Sequence, residues 1–371
     1  MIKIGFGGRR MIVNYSSKFK LFSFLHFFLK WVSYTLVIGF LIGSASALFL
    51  VSLEWCTNWR EATRWSLYLL PIAGLAIGLL YFYWGENSVK GNNLILENIQ
   101  KPKERIPLLM APLVLVTTLL THMFGGSAGR EGTAIQMSGS IADQFTGLFT
   151  LSKKDRKRLL TASIAAGFSS IFGTPFAGLF FGMEIIKKGK LNMDALIPSI
   201  LASFIAHYTT VKIWGVGHTA YTIGEIPELT FISLGLVILA GAAFGITSWS
   251  FIFSMEVFTS WFKKLISYPP LRPFIGGIIL ALIFSGLFYF YNNSIYQGLG
   301  IPTIVASFDN PLPINVFFLK LLLTAFTLSC GFKGGEVTPL FFIGATLGLS
   351  LIHISEPTRL RRISYAVFCL K

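Results

Sequence analysis

The chain has 371 residues, of which 53% are hydrophobic and only 13% are charged. Soluble domains carry about twice that share of charged residues, so the composition excludes an ordinary soluble domain. The formal net charge of +15 does not indicate a nucleic-acid-binding protein, because the basic residues are dispersed in short segments and form no extended patch. We therefore expect the lipid bilayer, and not nucleic acid, to be the main partner of this chain.

Long stretches without Asp, Glu, Lys or Arg dominate the sequence. A hydrocarbon core about 30 Å thick needs about 20 apolar residues per spanning helix. Lipid offers no hydrogen bonds to the backbone, so such stretches must be helical. Six stretches are long enough, at residues 31–53, 65–85, 106–129, 159–183, 229–255 and 273–308, and shorter apolar runs follow at 191–211, 321–332 and 337–352. The sequence therefore predicts an all-α integral membrane protein.

Basic residues between these stretches predict how the chain is oriented. Lys and Arg are enriched in short cytoplasmic loops of membrane proteins. The N-terminal arm (1–30) and the loops at 101–105, 153–158, 187–190 and 263–272 are rich in these residues. We expect these segments in the cytoplasm, and the less basic loops at 54–64 and 215–228 outside.

A weak internal repeat runs through the sequence. Gly-Asn-Asn-Leu-Ile at 91–95 precedes an apolar stretch that ends in Gly-Arg-Glu-Gly-Thr at 129–133. Gly-Leu-Gly-Ile-Pro at 298–302 precedes another, which ends in Gly-Gly-Glu-Val-Thr-Pro at 334–339. Duplicated units of this kind are typical of transporters. The alternative is a chance similarity, because glycines are common in membrane helices. We predict a first transmembrane repeat over 31–213 and a second over 214–350.

Glycine-rich segments predict that two helices are broken inside the membrane. Gly-Gly-Ser-Ala-Gly at 125–129 cannot continue a helix cheaply, so a new helix is expected to begin near Glu131. Helix N-termini expose unpaired N–H donors and a partial positive charge, and therefore attract anions. The same argument applies to Lys333-Gly334-Gly335 and a helix opening at Glu336. Two such termini aimed at one point would make an anion pathway without a metal or cofactor.

Glu131 is the first candidate functional residue. A carboxylate between uncharged stretches is costly in lipid and is a functional hypothesis by default. At a helix N-terminus it can occupy the anion site, and after protonation it can swing away and admit the ion. The simpler alternative is a charge that only stabilises its helix. For Arg130 we predict a role in holding the loop through a carboxylate or carbonyl groups.

These motifs together resemble those of the CLC family of anion channels and exchangers. The segment 129–133 resembles the family's Gly-Arg-Glu-Gly-Pro signature, with Thr133 in place of proline, as in fluoride exchangers. The segment 91–95 resembles Gly-Ser-Gly-Ile-Pro, with Asn92 in place of the serine of chloride-type members. The segment 335–339 resembles Gly-x-Phe-x-Pro, with Val337 in place of phenylalanine, and 172–178 resembles the start of the dimer-interface region.

The resemblance, which covers residues 31–350, implies a CLC-type inverted-repeat transporter with broken, re-entrant helices. It implies a multi-pass protein of the bacterial plasma membrane, not an enzyme, that exports fluoride in exchange for protons, confers fluoride resistance and forms homodimers. Glu131 is then the gate and proton carrier. The residues expected to bind the ion are Gly91, Asn92, Arg130, Gly132, Thr133, Glu336, Val337 and Thr338. The amide N–H of Asn92 and the hydroxyl of Thr338 would replace the water of hydrated fluoride.

Several alternatives remain open at this point. A chloride-selective CLC channel or a chloride/proton exchanger is the nearest, and a solute transporter of another repeat family is more distant. Glu336 has no assigned role, and Glu184 is interpreted as a solvated helix end, which leaves the inner proton route unassigned. A rhomboid-like serine protease is a remote alternative, because Gly-Ser-Ala-Gly at 126–129 resembles a nucleophile motif. That chemistry needs a histidine to activate Ser127, and the candidates His207 and His218 are poorly placed.

The end of the sequence, residues 351–371, differs from the rest. From Ile352 it is basic, lacks membrane periodicity and resembles translated adapter sequence. We expect this tail to be non-native and the native protein to be longer, with a short cytoplasmic tail as the alternative. Tyr365 is therefore not interpreted as an ion-contacting tyrosine. The 371-residue chain is expected to be inactive and not a stable dimer, because part of the CLC dimer face lies in helices after Leu351.

Overall fold

The structure, a computed structural model, describes residues 15–102, 104–186, 189–219, 230–307, 312–313 and 315–355. About 80% of these described residues are helical. Within the described ranges, the one extended pairing is an isolated antiparallel bridge between Gly129 and Gly335. The predicted all-α fold is therefore confirmed. The predicted foreign tail lies outside the described residues from 356 onward, as do residues 1–14 of the predicted N-terminal arm.

Most of the helices overlap the apolar runs of the sequence. In chain order they are α1 Tyr15–Ala62, α2 Leu70–Trp84, α3 Asn92–Gln100, α4 Met110–Met123, α5 Glu131–Leu148, α6 Lys153–Phe172, α7 Pro175–Glu184, α8 Leu196–Tyr208, α9 Phe231–Leu265, α10 Leu271–Tyr291, α11 Ile301–Ala306, α12 Asn315–Ser329 and α13 Val337–Ser355. Helices α3 and α5 lie outside the apolar runs. In the described residues, five helical segments are long and apolar enough to cross a membrane: Leu21–Ala62, Arg64–Trp84, Met193–Ile213, Ser233–Leu265 and Leu271–Tyr291.

Two of the long uncharged runs each contain two helices. In the run 159–183, α6 ends before Gly173, which has a left-handed φ of +74°, and α7 begins at Pro175. Glycine tolerates a positive φ, and proline is favoured at the start of a helix, so this Gly-Thr-Pro sequence ends one helix and begins the next. The run 273–308 likewise contains most of α10 and all of α11.

The predicted repeat has a counterpart in the order of the helices. A short helix follows a left-handed glycine in both halves, Gly91 before α3 and Gly300 before α11. Next come helices of 14 and 15 residues, α4 and α12. Each is followed by a glycine-rich break and then by a longer helix of 18 or 19 residues, α5 or α13. The boundaries 31–213 and 214–350 stay a prediction.

Small residues allow close packing between the helices. α6 lies at the centre of the first half, in contact with α1, α5, α7 and α8. A methyl group added at Gly167 of α6 would lie 3.0 Å from the Ala134 carbonyl oxygen of α5. One added at Gly277 of α10 would lie 2.8 Å from the Cα of Pro71 in α2. Such contacts hold membrane helices together where lipid provides no hydrophobic drive.

Several of the predicted cytoplasmic segments lie close to one another. Lys30 of α1 forms a 2.8 Å ion pair with Asp155 at the start of α6. The side-chain amide of Gln100, next to the 101–105 loop, donates to the carbonyl of Ile186 just after α7. Residues from the predicted outer loops 54–64 and 215–228 instead line one common cavity elsewhere. This grouping supports the predicted orientation.

A buried ion pair joins three helices, α3, α5 and α6. The guanidinium of Arg156 in α6 donates twice to Asp143 of α5, over 2.7 Å each. Arg156 also donates to Asn98 of α3 over 3.3 Å and to the carbonyl of Glu104 over 2.8 Å. Asp143 accepts a further bond from the backbone N–H of Ile106. The cluster fixes α3 against α5, the two helices whose opposite ends carry Asn92 and Glu131.

Candidate functional site

The two glycine-rich breaks meet in the structure. The N–H of Gly129 donates to the carbonyl of Gly335 over 2.6 Å, and the N–H of Gly335 donates back over 2.8 Å. α5 begins at Glu131 and α13 at Val337, each two residues after its bridge partner. The second start is one residue later than predicted. The two N-termini therefore face a common region, as the sequence predicted.

Only glycine fits where the breaks meet. A methyl group at Gly335 would lie 2.7 Å from the backbone nitrogen of Glu131. A methyl group at Gly129 would lie 2.9 Å from the Gly335 carbonyl oxygen. Real Cβ atoms are not found that close to backbone atoms, so any side chain at either position would force the breaks apart. The glycines of the two motifs thus serve close backbone approach.

Glu131 links the two helix starts. Its side chain is 1% exposed. Oε2 accepts a hydrogen bond from the backbone N–H of Arg130 over 3.1 Å, and Oε1 accepts one from the hydroxyl of Thr338, in the first turn of α13. The carboxylate thus lies between two helix N-termini, a place where negative charge is stabilised.

Asn92 lies beside the same helix terminus. It is the first residue of α3, after Gly91, whose φ is +57°. Its side-chain nitrogen is 3.5 Å from the point where a methyl group on Gly132 would sit. A methyl group at Gly91 would lie 3.3 Å from the side-chain nitrogen of Gln136 in α5. Three helix N-termini, those of α3, α5 and α13, therefore contribute predicted site residues to one region.

The remaining predicted site residues differ in their burial and in their contacts. Thr133 is fully buried, and its hydroxyl shares a 2.7 Å hydrogen bond with the hydroxyl of Thr118 in α4. Its side chain therefore contacts α4, which the sequence did not indicate. Val337 is partly buried, whereas Glu336 is exposed. Arg130 is partly buried and lines an outer cavity.

Three buried polar residues near the breaks, His122, Lys320 and Thr324, were not among the predicted site residues. His122 is 0% exposed, and its Nε2 lies 3.1 Å from the carbonyl oxygen of Gly129. Lys320, also 0% exposed, donates to the carbonyls of Tyr296 and Gly298 at the turn before α11. Ser127 and Thr324 share a 2.9 Å hydrogen bond between the two repeats. In the sequence, the signals for these residues are a histidine and a lysine within otherwise apolar helices.

A cavity of about 800 Å³ lies on the side predicted to face outside. Its lining includes Glu54, Arg60, Arg130, His218 and Gln297. Arg130 precedes the gating candidate Glu131, so the cavity approaches the site from the side predicted to face outside. In the described residues no group of three or more His, Cys, Asp or Glu side chains is close enough to hold a metal ion.

Comparison with known proteins identifies the family. The family model for voltage-gated chloride channels matches residues 73–370. The chain belongs to this family, the CLC family. A chloride/fluoride channel protein of Pseudomonas syringae pv. tomato is 46% identical over 88% of this chain and 73% of its own length. The ClcB chloride channel of Salmonella typhimurium is 24% identical over 88% of this chain and 75% of its own length.

Solved CLC structures share the fold. A CLC-type fluoride/proton antiporter superposes with a TM-score of 0.84 at 36% identity, over 91% of this chain and 85% of that chain. A slow cyanobacterial chloride/proton antiporter superposes with a TM-score of 0.73 at 19% identity, over 87% of this chain and 79% of that chain. The resemblance inferred from the motifs is thus confirmed, and the chain is a multi-pass membrane protein with the CLC fold.

Membership in the CLC family leaves the protease alternative without support. In the described residues, the hydrogen-bond partner of the Ser127 hydroxyl is Thr324. The Nε2 atom of His218 is hydrogen-bonded to the carbonyl oxygen of Ser170 over 2.9 Å. The ring of His218 lies 6.3 Å from the ring of His207. Among the described residues, neither histidine has a hydrogen bond to Ser127. The Gly-Ser-Ala-Gly sequence serves the helix break of a CLC transporter.

Proposed function

We propose that this CLC protein exports fluoride from a bacterial cell in exchange for protons and so protects against fluoride. The observation that carries the proposal is the position of Glu131, a buried carboxylate hydrogen-bonded to the starts of both broken helices. The fluoride-linked names of two similar proteins support the choice of ion. Transport, and not the catalysis of a reaction, is then the role of the site.

The gating mechanism rests on competition between the Glu131 carboxylate and the transported anion for the same hydrogen-bond donors. A carboxylate oxygen and a small anion both bind the N–H groups at the start of α5. When Glu131 takes up a proton it loses its charge, so these donors bind it less strongly and an anion can displace it. The released hydroxyl of Thr338 is then free to donate to the ion. In each cycle Glu131 carries a proton, and an anion passes through the site that the Glu131 side chain vacates.

Strong donors around the gate favour fluoride over chloride. Fluoride holds its water tightly, so its binding site must offer good hydrogen-bond donors in exchange. We assign this role to the Asn92 amide, the Thr338 hydroxyl and the N–H groups of Gly132 and Thr133. Gly91 places Asn92, and the backbone and charge of Arg130 face the outer entry. Glu336 and Val337 line the start of α13, where the small valine leaves the inner path open.

Assembly as a homodimer is part of the same proposal. α7 and α8 present apolar residues to the outside, among them Phe176, Phe180, Phe204 and Tyr208, which are between 38% and 65% exposed. In the CLC resemblance this region forms part of the dimer face. Each subunit would hold its own pathway, because Glu131, Asn92 and Thr338 all come from one chain.

The function is tested by anion efflux from liposomes that contain the full native protein. We expect fluoride efflux to be fast, chloride efflux to be slow, and proton uptake to accompany fluoride release. A chloride-selective protein would reverse the order of the anions. Equal rates for both anions without proton movement would contradict the proposed exchange.

Replacing Asn92 by serine is expected to shift selectivity from fluoride toward chloride. A hydrogen bond to a charged group contributes about 1.5–3 kcal/mol, so losing the amide should reduce discrimination about ten- to a hundredfold. The measurement is the ratio of fluoride to chloride efflux. Asn93→Ser is the matched control, because Asn93 is the next residue of α3 and is exposed. An unchanged ratio in Asn92→Ser would remove Asn92 from the site.

A further inference from the structure

His122 is a completely buried histidine next to the gate. It lies in the last turn of α4 and is 0% exposed. Its ring nitrogen Nε2 is 3.1 Å from the carbonyl oxygen of Gly129, the residue that forms the bridge between the two breaks. We propose that His122 is a positioning residue that aims the peptide group between Gly129 and Arg130 at the gate and at the transported anion.

One peptide group connects His122 to the gate. In a planar trans peptide the C=O and the N–H point in opposite directions. The C=O of Gly129 faces His122, and the N–H on the other side of this peptide, that of Arg130, donates to Oε2 of Glu131 over 3.1 Å. A continuous chain therefore runs from the imidazole through the peptide to the carboxylate. An anion that replaces the carboxylate would meet the same N–H.

The hydrogen-bond partners define which nitrogen of His122 carries the proton. A carbonyl oxygen can only accept, so Nε2 must be the donor. Nδ1 has no hydrogen-bond partner among the described residues. A neutral ring with its proton on Nε2 satisfies both observations. His122 therefore acts as a fixed donor and does not need to change its charge.

The arrangement suits anion transport for two physical reasons. A carbonyl oxygen turned toward the pathway would repel an anion, but the Gly129 oxygen accepts from both His122 and the N–H of Gly335, at 3.1 and 2.8 Å. With both lone pairs occupied, it stays turned away. In a chain of hydrogen bonds each bond also strengthens the next, by about 10–30% in condensed phases. The Arg130 N–H is thereby both oriented and strengthened.

The backbone of His122 is held as firmly as its ring. Its carbonyl accepts from the guanidinium of Arg60 over 3.2 Å and from the N–H of Gly125 over 3.3 Å. The ring is therefore fixed relative to the glycine-rich break that it contacts. Fixed donors bind an ion without the cost of ordering the site on binding.

Two substitutions separate positioning from packing, and both rest on the proposed fluoride exchange. His122→Gln keeps an N–H donor at a similar reach, whereas His122→Met fills a similar volume without a donor. We expect His122→Met to raise the KM for fluoride about three- to tenfold, the size of a weakened hydrogen bond, with a smaller change in kcat. His122→Gln should stay within about twofold of the wild type. Equal losses in both variants with an unchanged KM would overturn the proposal.

A second background tests whether His122 acts on the anion. In Glu131→Gln protein, where the charged gate is absent, His122→Met should still weaken fluoride binding measured by calorimetry. No difference in this background would overturn an action on the anion. Nitrogen NMR of His122 gives a readout that does not depend on transport. Wild-type protein that releases no fluoride would defeat the proposed function, while an Nδ1-protonated ring would defeat the inference about His122.

Discussion

Replacing Glu131 by glutamine is expected to abolish proton-coupled exchange. Glutamine has nearly the same shape, so its side-chain oxygen can still accept from the Arg130 N–H, as Oε2 of Glu131 does. The amide cannot take up and release a proton, so it cannot carry protons between the two sides. The measurement is proton uptake during fluoride efflux from liposomes, which should fall to the level of protein-free vesicles. Uncoupled anion movement can remain.

Glu184→Gln is the matched control for this experiment. Glu184 ends α7, is exposed, and accepts a 3.4 Å hydrogen bond from the N–H of Gly189. It fits the predicted solvated helix end, so its loss should leave coupling unchanged. Proton uptake that survives in Glu131→Gln would assign the proton carrier to another residue. Loss of coupling in Glu184→Gln would place part of the proton route at this inner helix end.

The candidate gate, Glu131, could be singled out from sequence because its signals are local. A carboxylate between uncharged stretches is unusual at any position, and a run of glycines next to it breaks a helix whatever surrounds it. Both features depend on neighbouring residues alone, which is why the start of α5 was predicted correctly and Glu131 could be named as the candidate gate. The helix break near Gly335 follows from the same reasoning, with an error of one residue at Glu336.

Residues that act through distant contacts could not be found in this way. Thr133 belongs to the signature motif, but its hydroxyl contacts Thr118 of the preceding helix, a pairing that depends on how α4 and α5 cross. His122 looked like any packed histidine until the position of the Gly129 carbonyl was known.

Replacing Asp143 by alanine is expected to destabilise the protein strongly. The side chains of Asp143 and Arg156 are 0% and 8% exposed, and Nε of Arg156 lies 2.7 Å from Oδ1 of Asp143. Removing one partner of a buried pair leaves an uncompensated charge, which costs about 3–5 kcal/mol. The N–H of Ile106 also loses its acceptor. We expect a clearly lower unfolding temperature for the purified protein in detergent.

An exposed ion pair of the same length provides the control. Lys90 and Glu97 also meet over 2.7 Å, but their side chains are 50% and 52% exposed. Water screens such a pair, so Glu97→Ala should cost less than about 1 kcal/mol. The two alanine variants thus compare ion pairs that are equal in distance and differ in burial. Similar losses in both would show that the buried cluster does not carry the stability assigned to it.

The double variant Asp143→Leu with Arg156→Met separates charge from hydrogen bonding. It removes both charges, so no unpaired ion remains, but Ile106 N–H and the Glu104 carbonyl both lose partners. If the unpaired charge dominates, the double variant is more stable than Asp143→Ala even though it lacks more hydrogen bonds. A double variant that is less stable would assign the loss to the backbone groups. In that case the cluster acts chiefly as a backbone clamp that holds the 104–106 segment between α3 and α5.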